Sequence, residues 1–174
     1  MPAAIRYISP RTIEEIARNI GSDAKLNKDE PGAIDVIQLA QFFNCDVETV
    51  EFEPSDISAK IQHKKGGGCL IQVSNSDSPK RQRFSIAHEV SHYILHDGEE
   101  FVEYRKPLSD YDNADELYKE VQANMLASAL LMPKKLVTTA WENTKDIDDL
   151  AEIFNVSKAT AYYRLDNLGL LVSE

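Results

Sequence analysis

Long apolar runs are missing from this 174-residue chain. The longest nearly apolar stretch, Met125 to Met132, has eight residues and includes Ser128, whereas a membrane span needs about 20. Glycine and proline, seven of each, are too scarce for a low-complexity chain. Basic residues are outnumbered, 19 Lys and Arg against 29 Asp and Glu, a net charge of −10. A chain of that sign has no general attraction for nucleic acid or anionic membranes, so nucleic acid is disfavoured as a partner. Cysteine is also rare. Cys45 and Cys69 allow at most one bridge and stand in no metal-ligand spacing. With no signal-peptide core at the amino terminus, both read as buried, reduced thiols of a cytoplasmic protein.

What is present suffices for a packed core: 43% of residues are hydrophobic. Ser9 and Pro10 announce a first helix, with Ile13, Ile16, Ala17 and Ile20 on one face and Gly21 as its stop. A second helix is expected from Asp35 to Phe43. Three strands follow, around 47–52, 57–63 and 69–73, the last two joined by the flexible turn Lys64-Lys65-Gly66-Gly67-Gly68. That turn lacks the Lys-Ser/Thr that a phosphate loop requires. Asp77-Ser78-Pro79 opens a long helix ending at Asp97-Gly98, and an irregular stretch runs to about Tyr111. Helices are expected over 113–132, after Pro133, and over 147–154 and 158–168. Helices, then strands, then helices indicate an α+β fold, with a small antiparallel sheet of about three strands packed on the helices. The expected division is 1–143 as the main domain and 144–174 as a helix-turn-helix-like pair packed on it.

The long helix carries His88-Glu89-Val90-Ser91-His92, the pattern HExxH. Four residues of helix advance about 6 Å and turn about 40° beyond one revolution, so both imidazoles point toward one ion. Neutral histidine nitrogens suit zinc, and Glu89 is near enough to act as general base without ligating it. A catalytic zinc wants a third protein ligand and one open position. His96 is about 12 Å along the axis from His88, too far to share the ion. Glu116 and Glu120 on the next long helix are candidates. Glu120 shares a face with Ala123, Ala127 and Leu130, where a carboxylate is costly unless paired with a charge or a metal. Glu120 is therefore the expected third ligand.

Together with the downstream Glu120-x-x-Ala123-Asn124 and Leu130-Leu131-Met132-Pro133, the HExxH segment resembles the ImmA/IrrE family of bacterial metallopeptidases. The stretch Ser78 to Ala87, the preceding strands and the segment from Asn155 to Leu170 fit the same family, so the resemblance runs from about residue 34 to the end. It implies a zincin-like fold with zinc on His88, His92 and Glu120, and Glu89 as base. It also implies a cytoplasmic endopeptidase whose substrates are often helix-turn-helix repressors of mobile elements or stress responses. One departure is Val90-Ser91, where such sequences commonly carry Leu-Gly; serine is small enough to preserve close packing.

Several features stay open at this level. Tyr93, His96, Tyr104 and Tyr111 are all candidates to stabilise an oxyanion. The strand Cys69–Val73 is a candidate to hold an extended peptide by strand addition. Between Asp97 and Glu116 eight acids face Arg105 and Lys106, which reads as a solvated flap. Lys80-Arg81-Gln82-Arg83 reads as exposed surface. The tail from Lys145 has three bases and six acids, the wrong sign for a DNA reader, although Ser157, Lys158, Thr160 and Arg164 could touch phosphate. The rival to the enzyme is a non-catalytic zincin-like binding module, a toxin-antitoxin component or DNA-binding regulator. An intact Glu89 favours the enzyme.

Overall fold

The computed structural model describes residues 7–96, 100–104 and 106–171, with the backbone alone for Phe101, Glu103 and Tyr104. Helices α1 (Pro10–Asp23) and α2 (Val36–Phe42) precede strands β1 (Cys45–Val50), β2 (Ile57–His63) and β3 (Cys69–Ser74). Then come α3 (Pro79–Leu95), β4 (Phe101–Tyr104) and a 3-10 turn (Leu108–Asp110). Helices α4 (Ala114–Leu131), α5 (Lys134–Thr144), α6 (Ile147–Phe154) and α7 (Lys158–Asn167) complete the chain.

Side-chain caps start most of these helices. The Ser9 hydroxyl accepts the Thr12 amide, Asp35 those of Ile37 and Gln38, and Ser78 that of Arg81. Asn113, Asp146 and Ser157 do the same for α4, α6 and α7. Such caps satisfy amides that a helix start leaves without intrahelical partners. Gly21 does not stop α1, which runs on to Asp23. Its bare Cα makes room instead: a Cβ there would sit 2.5 Å from Asn27 Oδ1.

The fold is α+β as expected, but the sheet is mixed where an antiparallel one was expected, and it has four strands in the order β1-β3-β2-β4 because the segment after α3 adds to the free edge of β2. β1 and β3 pair in parallel, whereas β2 is antiparallel to both β3 and β4. β4 lies within the stretch expected to be irregular; the expected helix end at Asp97-Gly98 falls outside the described residues. This topology overturns two further expectations. β3 has partners on both edges, so its backbone groups are already engaged and it cannot receive a peptide strand. Cys45 and Cys69 are not separate thiols: they face each other on the first rung of the β1–β3 pair and form a disulfide. Register across a parallel pair brought together residues 24 apart in sequence.

Helix α3 packs against α4, α2 and the sheet. Every residue from Ser85 to His92 is buried, so α3 is enclosed on all sides there, beyond the single apolar face its sequence suggests. One continuous apolar core includes Ile13 and Leu39, Ile61 and Ile71 of the sheet, Val90, Leu126 and Leu131, and Leu150, Phe154 and Leu165 of the last two helices.

Arg164 joins the tail to this core. Its side chain is 2% exposed. Nε donates to the Met132 carbonyl at 2.9 Å, and the guanidinium forks onto the Glu14 carboxylate, with Nη2 to Oε2 at 3.0 Å. A phosphate contact by Arg164 is therefore excluded. Lys158, by contrast, pairs with Asp148 in solvent. Removing the guanidinium leaves the Met132 carbonyl without its buried donor and deletes a half-buried ion pair, a loss of about 1–3 kcal/mol, against at most about 1 kcal/mol for an exposed pair. Urea unfolding of Arg164→Ala should show the larger loss and of Lys158→Ala the smaller.

Candidate metal centre

His88 and His92 stand one helical turn apart on α3, and Glu120 reaches them from α4. The three are 2%, 1% and 7% exposed. His88 Nε2 and His92 Nε2 are 3.1 Å apart. Glu120 Oε2 lies 3.1 Å from the first and Oε1 3.1 Å from the second. Among the described residues this is the one group of three such side chains whose donor atoms converge within 4.8 Å. Ligands at about 2.0–2.1 Å in a tetrahedral site stand roughly 3.3–3.4 Å apart. Two imidazoles and a carboxylate at these separations therefore fit a divalent cation with little movement.

Burial and hydrogen bonding together set the protonation of the group. Desolvation pushes the His92 pKa down to about 3, aided by the neighbouring His88 and His96 and opposed by Glu120. Burial works to raise Glu120, but hydrogen bonds with His88 and His92 outweigh it and hold the carboxyl well below its usual range. The set is thus a neutral His92 and an ionised Glu120, the forms a cation needs.

Glu89, next to His88, is fully buried. Ser91 is also fully buried, and its hydroxyl donates to the Ala87 carbonyl at 2.7 Å, so the departure from Leu-Gly is absorbed within α3. Glu116 is exposed in the first turn of α4, away from the group.

A cavity of about 360 Å³ opens on His88 and Glu120. Its walls include Phe84 of α3, Tyr111, Asn124 of α4, and the cap Ser157 with Thr160 and Tyr163 of α7. Helix α7 thus forms part of the cleft, which its sequence pattern did not indicate. Asn124 was legible in principle, being one turn beyond Glu120. Burial raises the Tyr163 pKa, keeping that hydroxyl a protonated donor. Lys80, Arg81 and Lys106 also line the cleft.

The basic cluster is not plain exposed surface: Lys80 pairs with Glu152, Gln82 donates to the Ser74 carbonyl, and Arg83 donates to the carbonyls of Ile34 and Asn155. Of the oxyanion candidates, Tyr111 lines the cleft, with Lys106 Nζ 3.9 Å from its ring centroid. Tyr93 instead accepts the Gly68 amide and stacks on His63. His96 turns to His92 and Gln122. The Tyr104 side chain lies outside the described residues, as do Asp97, Glu99 and the Glu103 side chain of the acidic stretch.

Residues 40–166 match the family of IrrE N-terminal-like domains. Metallopeptidase ImmA of Bacillus subtilis (strain 168) is 26% identical over 135 residues, 72% of this chain and 74% of that protein. The radiation response metalloprotease IrrE of Deinococcus deserti is 31% identical over 102 residues, 55% of this chain and 35% of that protein. The protein of the same name from Deinococcus radiodurans is 30% identical over 105 residues, 55% of this chain and 30% of that protein. The chain thus spans about a third of the length of the IrrE proteins it matches and about three quarters of ImmA. A solved structure described as a Mycobacterium tuberculosis transcriptional regulator shares the fold, with a TM-score of 0.65 at 21% identity over 92% of this chain and 47% of that one.

The protonation pattern has a consequence for the metal-free protein. Below pH 6.5 the unfolded chain gains a proton on His92 that the fold refuses, so stability falls as pH falls toward 3. Glu120 acts in the same direction below about 4.5, because the fold favours its ionised form. One proton corresponds to roughly 1.4 kcal/mol per pH unit. Chemical denaturation of metal-free protein between pH 6 and 5 should show a slope of about that size, reduced in His92→Phe.

Proposed function

This chain belongs to the IrrE N-terminal-like domain family, and on that footing we propose that it is a zinc-dependent endopeptidase. Its substrate is a regulatory protein, a helix-turn-helix repressor of a mobile element or stress response, which cleavage inactivates. The observation that carries this reading is the convergence of His88, His92 and Glu120, with His88 and Glu120 lining an open cleft. Relatives named metallopeptidase and metalloprotease support the activity.

His88, His92 and Glu120 would hold the metal, which supplies a Lewis acid for the scissile carbonyl and acidifies the attacking water. Glu89 takes the proton of that water and returns it to the leaving amine. Asn124, Tyr111 and Tyr163 give the cleft polar groups to orient the peptide. With β3 enclosed, an extended substrate has β4 as the candidate edge for strand addition, since β4 lies at the border of the sheet and contacts α3. Residues 1–143 form the catalytic unit, and 144–174 contribute a cleft wall, not a DNA reader. The reading puts the enzyme in the cytoplasm, where such regulators act. The buried Cys45–Cys69 bridge is shielded there from dissolved thiols.

The test pairs two substitutions. Glu89→Gln should keep about one zinc per chain by elemental analysis while losing roughly 10²–10⁴-fold in cleavage of a co-transcribed repressor, followed by intact mass. Glu120→Ala should lose most of the zinc. Retained cleavage by Glu89→Gln would remove the assigned base, and unchanged zinc in Glu120→Ala would move the third ligand elsewhere.

A further inference from the structure

His96 is excluded as a ligand by distance along the helix, yet it is buried, 8% exposed, against one of the expected ligands. It is the C-cap of α3, where the backbone leaves helical geometry. There its Nδ1 lies 2.9 Å from His92 Nδ1, on the opposite side of that ring from the three converging donors. Its other nitrogen, Nε2, lies 2.9 Å from Oε1 of Gln122, which is 4% exposed on α4.

We propose that His96 and Gln122 are positioning residues for the metal centre, a relay that fixes the tautomer and ring orientation of His92. This rests on the metal-site reading above. A neutral imidazole that ligates through Nε2 carries its proton on Nδ1. The group facing that proton is His96 Nδ1, which must then act as acceptor. A neutral histidine accepting at Nδ1 carries its own proton at Nε2. That proton points to a carbonyl oxygen, an atom that only accepts. With the metal on His92 Nε2, each bond therefore has one donor and one acceptor in only one direction, from His92 through His96 to Gln122. The reverse direction would require Gln122 to present its NH₂ group and would put the His92 proton on Nε2, where the metal binds. Partners that hold the outer nitrogen of a ligating histidine are worth about 10–100-fold in metal affinity or activity.

The relay also ties α3 to α4 a second time. Glu120 reaches the inner side of His92 and Gln122 reaches His96, so the two helices hold the ring between a ligand and an outer support.

Zinc affinity by chelator competition tests the assignment, with ¹⁵N NMR of histidine side chains in the zinc-loaded protein. Gln122→Leu removes the terminal acceptor and should weaken zinc binding about 10–100-fold. Gln122→Glu restores an acceptor and should return affinity to within about threefold of wild type or tighter. In loaded wild type, His96 should carry its proton on Nε2 and none on Nδ1. A Gln122→Leu protein that melts cooperatively yet binds zinc as wild type does would overturn the relay, as would a loaded wild type with the His96 proton on Nδ1. Either result leaves the metal site intact. A wild type that takes up no zinc would overturn the relay and the metal-site reading together.

Discussion

The rest of this structure is organised around one costly arrangement: two imidazoles and a carboxylate held within 3.1 Å of one another in a packed interior. Burying an ionised carboxylate is unfavourable unless a charge or a set of donors compensates it. Here the compensating groups come from α3 while the carboxylate comes from α4, so the two helices cannot slide or separate without exposing the cost. This accounts for the complete enclosure of Ser85 to His92 and for the small or apolar residues that follow Glu120, among them Ala123, Ala127 and Leu130. The sheet backs α3 from one side and α4 closes the other.

The carboxy-terminal helices have a different relation to the centre. They belong to the same apolar core, and the buried Arg164 holds α7 to the end of α4 and to α1. With α7 held there, its first turn becomes part of the cleft. A segment with a helix-turn-helix pattern but the wrong charge for a DNA reader thus presents Ser157, Thr160 and Tyr163 toward the pocket. One of its candidate phosphate contacts, the Arg164 guanidinium, is occupied inside the protein. In the proposed peptidase this wall would help select the substrate.

Much of the architecture was legible because it is local. Caps such as Ser9, Asp35, Ser78 and Asn113 act on amides two or three residues away, and HExxH derives its meaning from the pitch of a single helix. The α+β class followed from the order of the elements. Glu120 was legible for a different reason: a carboxylate on a face of alanines is anomalous, and anomalies of burial are visible before packing is known. Where local reasoning failed, the cause was a longer-range contact. Gly21 resembled a helix stop but serves the approach of Asn27, and the 101–104 segment became a strand only because β2 offered an edge.

The chain's own sequence determined its helices, their starts, its acidic balance and the spacing that aims two histidines at one point, since each depends on neighbours within a turn or two. The tertiary structure alone decided four other things. It joined Cys45 to Cys69, enclosed β3 between two strands, turned the start of α7 into a cleft wall, and set Gln122 against His96. Each is a contact between residues at least 24 positions apart or a pairing across the sheet. Such contacts form only when the whole core has collapsed into one arrangement, and no periodicity or propensity along the chain encodes their partners.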